Sequence, residues 1–427
     1  MTGRPAQPTP GSASALADKE GSTAQVLTGF DSMWQDLSPL GRDGRTGGYH
    51  RYAWTWVDHE LREWFSAQAA ARGLDVHLDR SGNQWAWWGD PDAGVAAGRP
   101  GLVLGSHLDS VPDGGAFDGP LGVVSAFAAL DLLRARGVAP ERPIGIVNFA
   151  DEEGARFGIA CTGSRLLTGA LSRERALAAR DQGGTSLAEA LRDAGQEPRY
   201  SGADSEALRR IGTFIELHVE QGRALEDLDR PVAVGESILP HGRWRLEFDG
   251  DANHAGTTRL ADRNDPMLGL AAAINSARIA AEVNGCLATV GKVHVEPNGV
   301  NAIASRAVAW LDARGSSEHL VRLTADQVAR HSGGGLHEES FTAVTHFDQR
   351  LARQLAHLLD DAPILSTGAG HDAGILAQAG VPAAMIFVRN PTGVSHSPAE
   401  HAEVTDCHAG VLALTEVAGH LAGSLSR

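Results

Sequence analysis

Apolar positions along this chain switch repeatedly between helical and strand spacing. From Thr55 to Arg72 (TWVDHELREWFSAQAAAR), Val57, Leu61, Trp64 and Phe65 recur at helical spacing and Gly73 supplies a stop, so an amphipathic helix is predicted. LDVHLD and NQWAWW follow, then a Gly/Pro-rich loop and the apolar run GLVLGS from Gly101, which reads as a central strand. Leu121 to Arg136 reads as helix and Ile144 to Ala150 (IGIVNFA) as a second strand. This alternation is that of an α/β domain. Polar residues follow both strands, at the carboxyl ends where open α/β sheets bind ligands.

Residues from about Gly163 to Arg210 are Ala/Arg/Glu-rich helical material, and Thr213 to Val219 (TFIELHV) is another strand ending in polar groups. From about Leu239 the pattern changes. WRLEFDG and ATVGKVHVEP are strands separated by a helix near Asp265 to Asn284; AVAWLDAR and a second helix near Ser317 to Ser332 follow. That grouping predicts a small α+β sandwich inserted over residues 239–345, between the two parts, 25–238 and 346–427, of the main domain. The remainder reads as a helix near Phe347 to Leu359, glycine-rich loops and a terminal helix through Val411, with no internal repeat.

Composition narrows the class. With 427 residues, 42% apolar, the chain is long enough for a sizeable core and is not mainly disordered. Met1 to Ala24, rich in Pro, Ser, Thr, Ala and Gly and without a signal-peptide pattern, is predicted to be a disordered tail. Lys+Arg 37 against Asp+Glu 53 leaves a net charge of −16, which disfavours nucleic acid and anionic membranes as partners. No apolar run approaches the roughly 18 residues of a membrane span; Leu121 to Leu133 is broken by Asp131. Cys161, Cys286 and Cys407 have no paired spacing, which fits a reducing cytoplasm.

The candidate chemistry sits at strand ends. GLVLGS leads into His107-Leu108-Asp109-Ser110, and the loop GGAFDGP presents Asp118; a His with an Asp suits a hard-to-borderline divalent metal. IGIVNFA runs into Asp151-Glu152-Glu153-Gly154. Adjacent side chains diverge, so one of the two glutamates can bind metal while its neighbour faces substrate. His218 in TFIELHVEQG and His396 in TGVSHSPAE complete an inventory sufficient for two metals.

Taken in order, GSHLDSV, GGAFDGPLGV, DEEGARFG, ELHVEQG, NHAGTT, STGAGHDA and GVSHSPAE resemble the signature segments of the M20 metallopeptidase family, in its amidase branch of N-carbamoyl-L-amino acid hydrolases and allantoate amidohydrolases. The resemblance covers about residues 30–425. It implies an α/β fold with a central mixed sheet flanked by helices, the zinc-peptidase-like catalytic domain, carrying an inserted α+β lid and dimerisation domain. It implies two divalent metal ions per subunit, Mn or Zn, with Co or Ni also accommodated. His107 and His396 match the ligands of one, Glu153 and His218 those of the other, and Asp118 the bridging carboxylate.

Glu152 matches the general base, which takes a proton from the shared water before the ureido carbonyl is attacked and later returns it to the leaving nitrogen. Asp109 matches the carboxylate that fixes the tautomer of His107. In the inserted domain His254 matches the residue that stabilises the oxyanion, usually in the active site of a partner subunit, which implies a homodimer. Asn301 and Arg314 match residues that bind the substrate carboxylate, and Gln221, Gly370 and His371 match residues lining the substrate site.

Against that pattern the chain carries Thr258-Arg259-Leu260 in place of a Pro-Met pair, and extra basic groups at Arg243 and Arg389 that favour allantoate, with its two ureido arms. An aminoacylase or dipeptidase of the same family and a metal-binding scaffold without catalysis are the alternatives.

Overall fold

The computed structural model describes residues 10–423, with side chains from residue 21 onward. The chain divides into two units. The first comprises residues up to Glu236 together with Phe347–Leu365 and the chain from Gly370; the second comprises Ser237–His346 with Ser366–Ala369. Strands β1 (Asp75–Leu78), β2 (Gln84–Trp88), β3 (Gly101–His107), β4 (Ile144–Phe149), β5 (Ile211–Val219) and β6 (Val232–Ile238) come first. β7 (His241–Asp249), β8 (Asn253–His254), β9 (Cys286–Glu296), β10 (Ala302–Ile303), β11 (Arg306–Gly315), β12 (Gly335–Thr342) and β13 (Thr345–His346) follow, and the chain returns through β14 (Ile364–Thr367) and β15 (Ala383–Val388).

The sheet of the first unit runs β1-β2-β4-β3-β5-β15-β6. Its centre, β4-β3-β5-β15, is parallel, while β2 joins β4 and β6 joins β15 antiparallel, so the sheet is mixed. β3, β4 and β15 are buried along their whole length, the state of parallel strands covered on both faces. The Pro120–Ala135 helix begins with proline at its first position and buries almost every residue. It is apolar all round because it is covered from all sides, lying against β3 and β5 with the Pro10–Leu37 and Val404–Leu421 helices against it. Because the central strands are parallel, their carboxyl ends open on one edge, and the polar motifs of the sequence collect there.

Residues 10–24, expected in a disordered tail, are helical; residues 1–9 lie outside the described residues. Phe30, Met33 and Leu37 anchor the helix in the core, and adding turns to a formed nucleus costs little. The helical material from about Gly163 resolves into short helices at Thr162–Thr168, Arg173–Ala178, Leu187–Asp193 and Ser205–Arg209.

The second unit is an antiparallel sheet, β12-β7-β11-β9, with the Pro266–Asn284 and Glu318–Ser332 helices packed on one face. β7 alternates strictly: Trp244, Leu246 and Phe248 point to the helices, Arg243, Arg245 and Glu247 away from them. Asp265 caps the first helix by accepting the N–H of Met267. β12 carries no apolar pattern (GLHEESFT), because it is an exposed edge strand, and it was not legible in the sequence.

Phe127 is fully buried and meets the rings of Trp64 and Phe65 edge-on. Phe127→Ala is expected to destabilise the first unit by about 3–5 kcal/mol through the cavity it leaves. Urea unfolding followed by tryptophan fluorescence measures this; an unshifted transition would show that the helix is not a keystone of this core.

Candidate metal centre

Each candidate ligand owes its place to a strand end. His107 is the last residue of β3 and His218 lies one residue before the end of β5; β3 and β5 are neighbours, so the two rings lie 6.0 Å apart. Asp118 precedes the Pro120–Ala135 helix, Glu152 and Glu153 follow β4, and His396 lies in the loop after β15. Asp118 is the common partner. Its Oδ1 lies 3.6 Å from His107 Nε2 and 3.2 Å from His218 Nε2; its Oδ2 lies 3.4 Å from His396 Nε2, which is 3.5 Å from Glu153 Oε1.

Three groups of candidate ligands result, and two of them share Asp118: His107–Asp118–His218 and Asp118–Glu153–His396; the third is Glu216–His218–His371. The grouping differs from the expected one, which put His107 with His396 and Glu153 with His218. The geometric grouping follows sheet order: β3 and β5 are adjacent, whereas His396, in the loop after β15, approaches the other oxygen of Asp118 and meets Glu153 there.

Electrostatics mark the site as built for cations. Burial pushes the Glu152 carboxyl well above the usual range, and burial with the neighbouring Asp118 raises Glu153 to about 7. Burial also acts to raise Asp118, but the three imidazoles outweigh it and hold its carboxyl well below the usual range. The buried atoms His107 Nε2, His218 Nε2 and Glu153 Oε1 make no hydrogen bond, an arrangement costly for polar atoms unless something else satisfies them. Imidazole nitrogens and carboxylate oxygens without thiolate are donors for divalent ions, so these residues fit a metal.

Residues 103–420 match the profile of peptidase family M20/M25/M40. The chain belongs to this family. It is 35% identical to an N-carbamoyl-L-amino acid amidohydrolase of Geobacillus stearothermophilus, over 92% of this chain and 98% of that protein. It is 32% identical to an allantoate amidohydrolase of Bacillus subtilis, over 88% of this chain and 93% of that one. Its fold is similar to that of a hydantoinase/carbamoylase family amidase from Burkholderia multivorans, with a TM-score of 0.80 and 27% identity over 93% and 98% of the two chains.

Within this M20 chain the remaining expected residues divide by unit. In the first, Glu152 Oε2 lies 3.8 Å from His107 Nε2, and Glu152 Oε1 accepts from the buried Cys161 thiol at 3.4 Å. Asp109 engages more than the imidazole. His107 Nδ1 bonds the backbone carbonyl of Asp109 at 3.1 Å, whereas the Asp109 carboxylate accepts the N–H groups of Glu152 and Glu153 at 3.1 and 3.0 Å. It therefore holds the two glutamates more directly than it holds the imidazole, from which it stands 3.5 Å away.

Gln221 Nε2 donates to Asp118 Oδ2 at 2.9 Å, and the buried His371 packs against His218 with ring centroids 4.6 Å apart; Gly370 is exposed. Arg389 is engaged by Asp406 through two hydrogen bonds and by Asp229 through a third, so it is held as a structural ion pair and not free to orient a substrate. A cavity of about 670 Å³ beside Trp54, Trp56 and Arg62 contains none of the candidate ligands.

In the second unit His254 pairs with Ala302 across β8 and β10, and Asn301 accepts the N–H of Ala255. Arg314 bonds Asp312 and the carbonyl of Gly368. Arg243 lies 3.4 Å from Asp312.

Sequence reasoning missed Cys161 as the partner of Glu152. It also missed a buried layer behind His218, where Glu216 accepts from Ser106 and from the N–H of Ala373, and Asp372 accepts from Ser164. Ser106, Glu216 and Asp372 stand inside the motifs already quoted; the available signal was a carboxylate or hydroxyl in a segment otherwise devoted to ligands.

Gly119 exposes the tolerance of the site. Its φ is 88°, and a Cβ there would meet His107 Cε1 at 2.4 Å. Gly119→Ala is expected to shift that imidazole and weaken metal binding by about 10–100-fold, the range for disturbing a ligand's support. Competition with a chelating dye measures the affinity, and wild-type affinity in the variant would refute the placement of His107 at the centre.

Proposed function

We propose that this chain is a binuclear metal amidohydrolase that cleaves the ureido C–N bond of a small carboxylate. The observation that carries the reading is Asp118, which offers one oxygen to each of two ligand groups. Similarity to proteins named for N-carbamoyl-L-amino acids and for allantoate supports the substrate class. With Arg389 engaged by Asp406, the preference for allantoate loses half its basis, and both substrates stand as candidates.

Two ions, Mn or Zn with Co or Ni also accommodated by the donor set, would polarise the carbonyl and acidify water. Glu152 then accepts the proton of the attacking water and returns it to the leaving nitrogen; burial raises its affinity for a proton, as suits a group that takes one up and gives it back. Asp109 holds the backbone N–H of Glu152, and the Cys161 thiol donates to the Glu152 carboxylate.

His254 is suited to donate to the oxyanion. Its Nδ1 accepts the N–H of Gly256 at 3.0 Å, so in the neutral ring Nε2 carries the proton. Arg314 retains donors for a substrate carboxylate, since three of the five guanidinium N–H groups are engaged.

His254 and Arg314 do not serve the same substrate from one chain. Arg306 and Arg314 lie at opposite ends of β11, about 27 Å apart at eight steps of ~3.4 Å, and β8 and β10 lie beyond the Arg306 end. A homodimer resolves this by pairing the His254 of one subunit with the Arg314 of another.

The inserted unit also presents a surface suited to self-association. β9 pairs on one side only among the described strands, and beside it Leu268, Ile279, Val283, Leu287 and Val293 are exposed. A long free edge flanked by apolar groups is a liability unless covered. Among the described residues no helix is long and apolar enough to cross a membrane, and the three cysteines are buried and free, as suits a reducing cytoplasm.

The reading is tested by ammonia release from allantoate, several N-carbamoyl-L-amino acids and simple dipeptides, using metal-reconstituted protein. Turnover of at least one ureido carboxylate is expected, with dipeptides inert. Dipeptide hydrolysis alone would instead make this a peptidase or aminoacylase, and inactivity on every substrate with fewer than two metals bound would make it a scaffold.

Glu152→Gln should retain both metals and lose about 10²–10⁴ in rate. Mixed with His254→Ala protein it should regain partial activity, because some mixed dimers hold one complete site. Verified subunit exchange without recovery would count against donation between subunits.

A further inference from the structure

The loop ending in Asp118 and the loop carrying His396 are remote in sequence; Gln221 and Ser395 link them at the Asp118 carboxylate, and Glu400 links them through the Asp118-loop backbone. Glu400, the last residue of GVSHSPAE, is 5% exposed. Its Oε1 accepts the backbone N–H groups of Phe117 at 2.8 Å and Asp118 at 3.0 Å. Its Oε2 lies 3.2 Å from Ser395 Oγ, a hydroxyl that also lies 3.1 Å from Asp118 Oδ2. That hydroxyl has a single proton to donate. With a cation on Asp118 Oδ2, the proton is directed to Glu400 and the two loops are tied through it.

The close approach of the loops is visible at Gly115, where an added Cβ would fall 2.3 Å from the Glu400 carboxyl and 2.5 Å from its own Cβ. Only glycine permits this contact.

The two ligand groups depend on the tie unequally. His107 and His218 are placed by β3 and β5, whose backbone ladders hold them regardless of Glu400. His396 has no strand beneath it: it sits in a loop at φ 55° with its side chain half exposed. The turn before it closes on itself through Asn390, which accepts from Thr392 and Gly393; from Ser395 onward Gln221 and Ser395 reach the Asp118 carboxylate that a cation would compete for, whereas Glu400 grips the backbone of the Asp118 loop.

We infer that Glu400 is a positioning residue that sets the His396 loop against the Asp118 loop, so that the Asp118–Glu153–His396 group can hold a cation, and that without it the centre becomes mononuclear. This rests on the two-metal reading above. It assigns Glu400 no contact with substrate and no proton transfer.

Calorimetric titration of the metal-stripped full-length chain with Zn²⁺ alone tests it. Wild type is the control and should take two equivalents; fewer would sink the two-metal reading, and this inference with it. Glu400→Ala should keep one binding event within about threefold of wild type and weaken the other by about 10–100-fold. Glu400→Gln should keep both, because an amide oxygen can accept the same two backbone N–H groups. Gly115→Ala, which pushes the Glu400 carboxyl aside, should resemble Glu400→Ala and serves as the second variant where the first folds poorly. With wild type at two equivalents, the inference is overturned if both events survive in Glu400→Ala and Gly115→Ala, if both weaken equally, or if Glu400→Gln is as impaired as Glu400→Ala.

Discussion

The structure depends on a buried carboxylate that is asked to satisfy two directions at once. Asp118 is 6% exposed, with imidazoles on both of its oxygens and Glu152 and Glu153 nearby. Burying so many ionisable groups is costly unless opposite charge is close. The cost shows as a divided response: Asp118 is held ionised by three histidines, while burial drives Glu152, Glu153 and Asp372 towards the protonated state. Divalent cations would resolve the conflict by supplying the missing positive charge where His107, His218 and Glu153 have atoms without hydrogen bonds.

Everything around Asp118 can be understood as holding ligands to that point. Parallel strands bring His107, Glu153 and His218 to one edge because parallel strands end together. Asp109 then steadies the turn carrying Glu152 and Glu153, and the Glu216 layer lies behind His218. The same economy does not extend to the second unit. Its sheet carries the candidate oxyanion donor near one end of β11 and the candidate carboxylate anchor at the other.

How much of this was legible depended on whether the information was local. β3 and the Pro120–Ala135 helix were readable from GLVLGS and the apolar run after Asp118, since burial on all sides leaves a plain compositional trace. The five candidate metal ligands were readable because each stands in a recognisable segment. Their grouping was not, because it follows from β3 lying beside β5, and strand order is set by packing across more than a hundred residues. The bonds from Asp109 to the two glutamate N–H groups and the engagement of Arg389 were out of reach for a related reason: neither the angle of a carboxylate nor the presence of Asp406 appears in spacing. The helical start of the chain shows the converse, a composition typical of disorder drawn into a helix by a distant anchor at Phe30 and Met33.

Anomalous-scattering diffraction from crystals of the metal-reconstituted protein tests the shared role of Asp118 most directly. Two peaks are expected, separated by roughly 3.5–4 Å, both within bonding distance of Asp118, one flanked by His107 and His218 and the other by Glu153 and His396. A single peak at full occupancy, or two peaks with His107 and His396 on the same ion, would contradict the account.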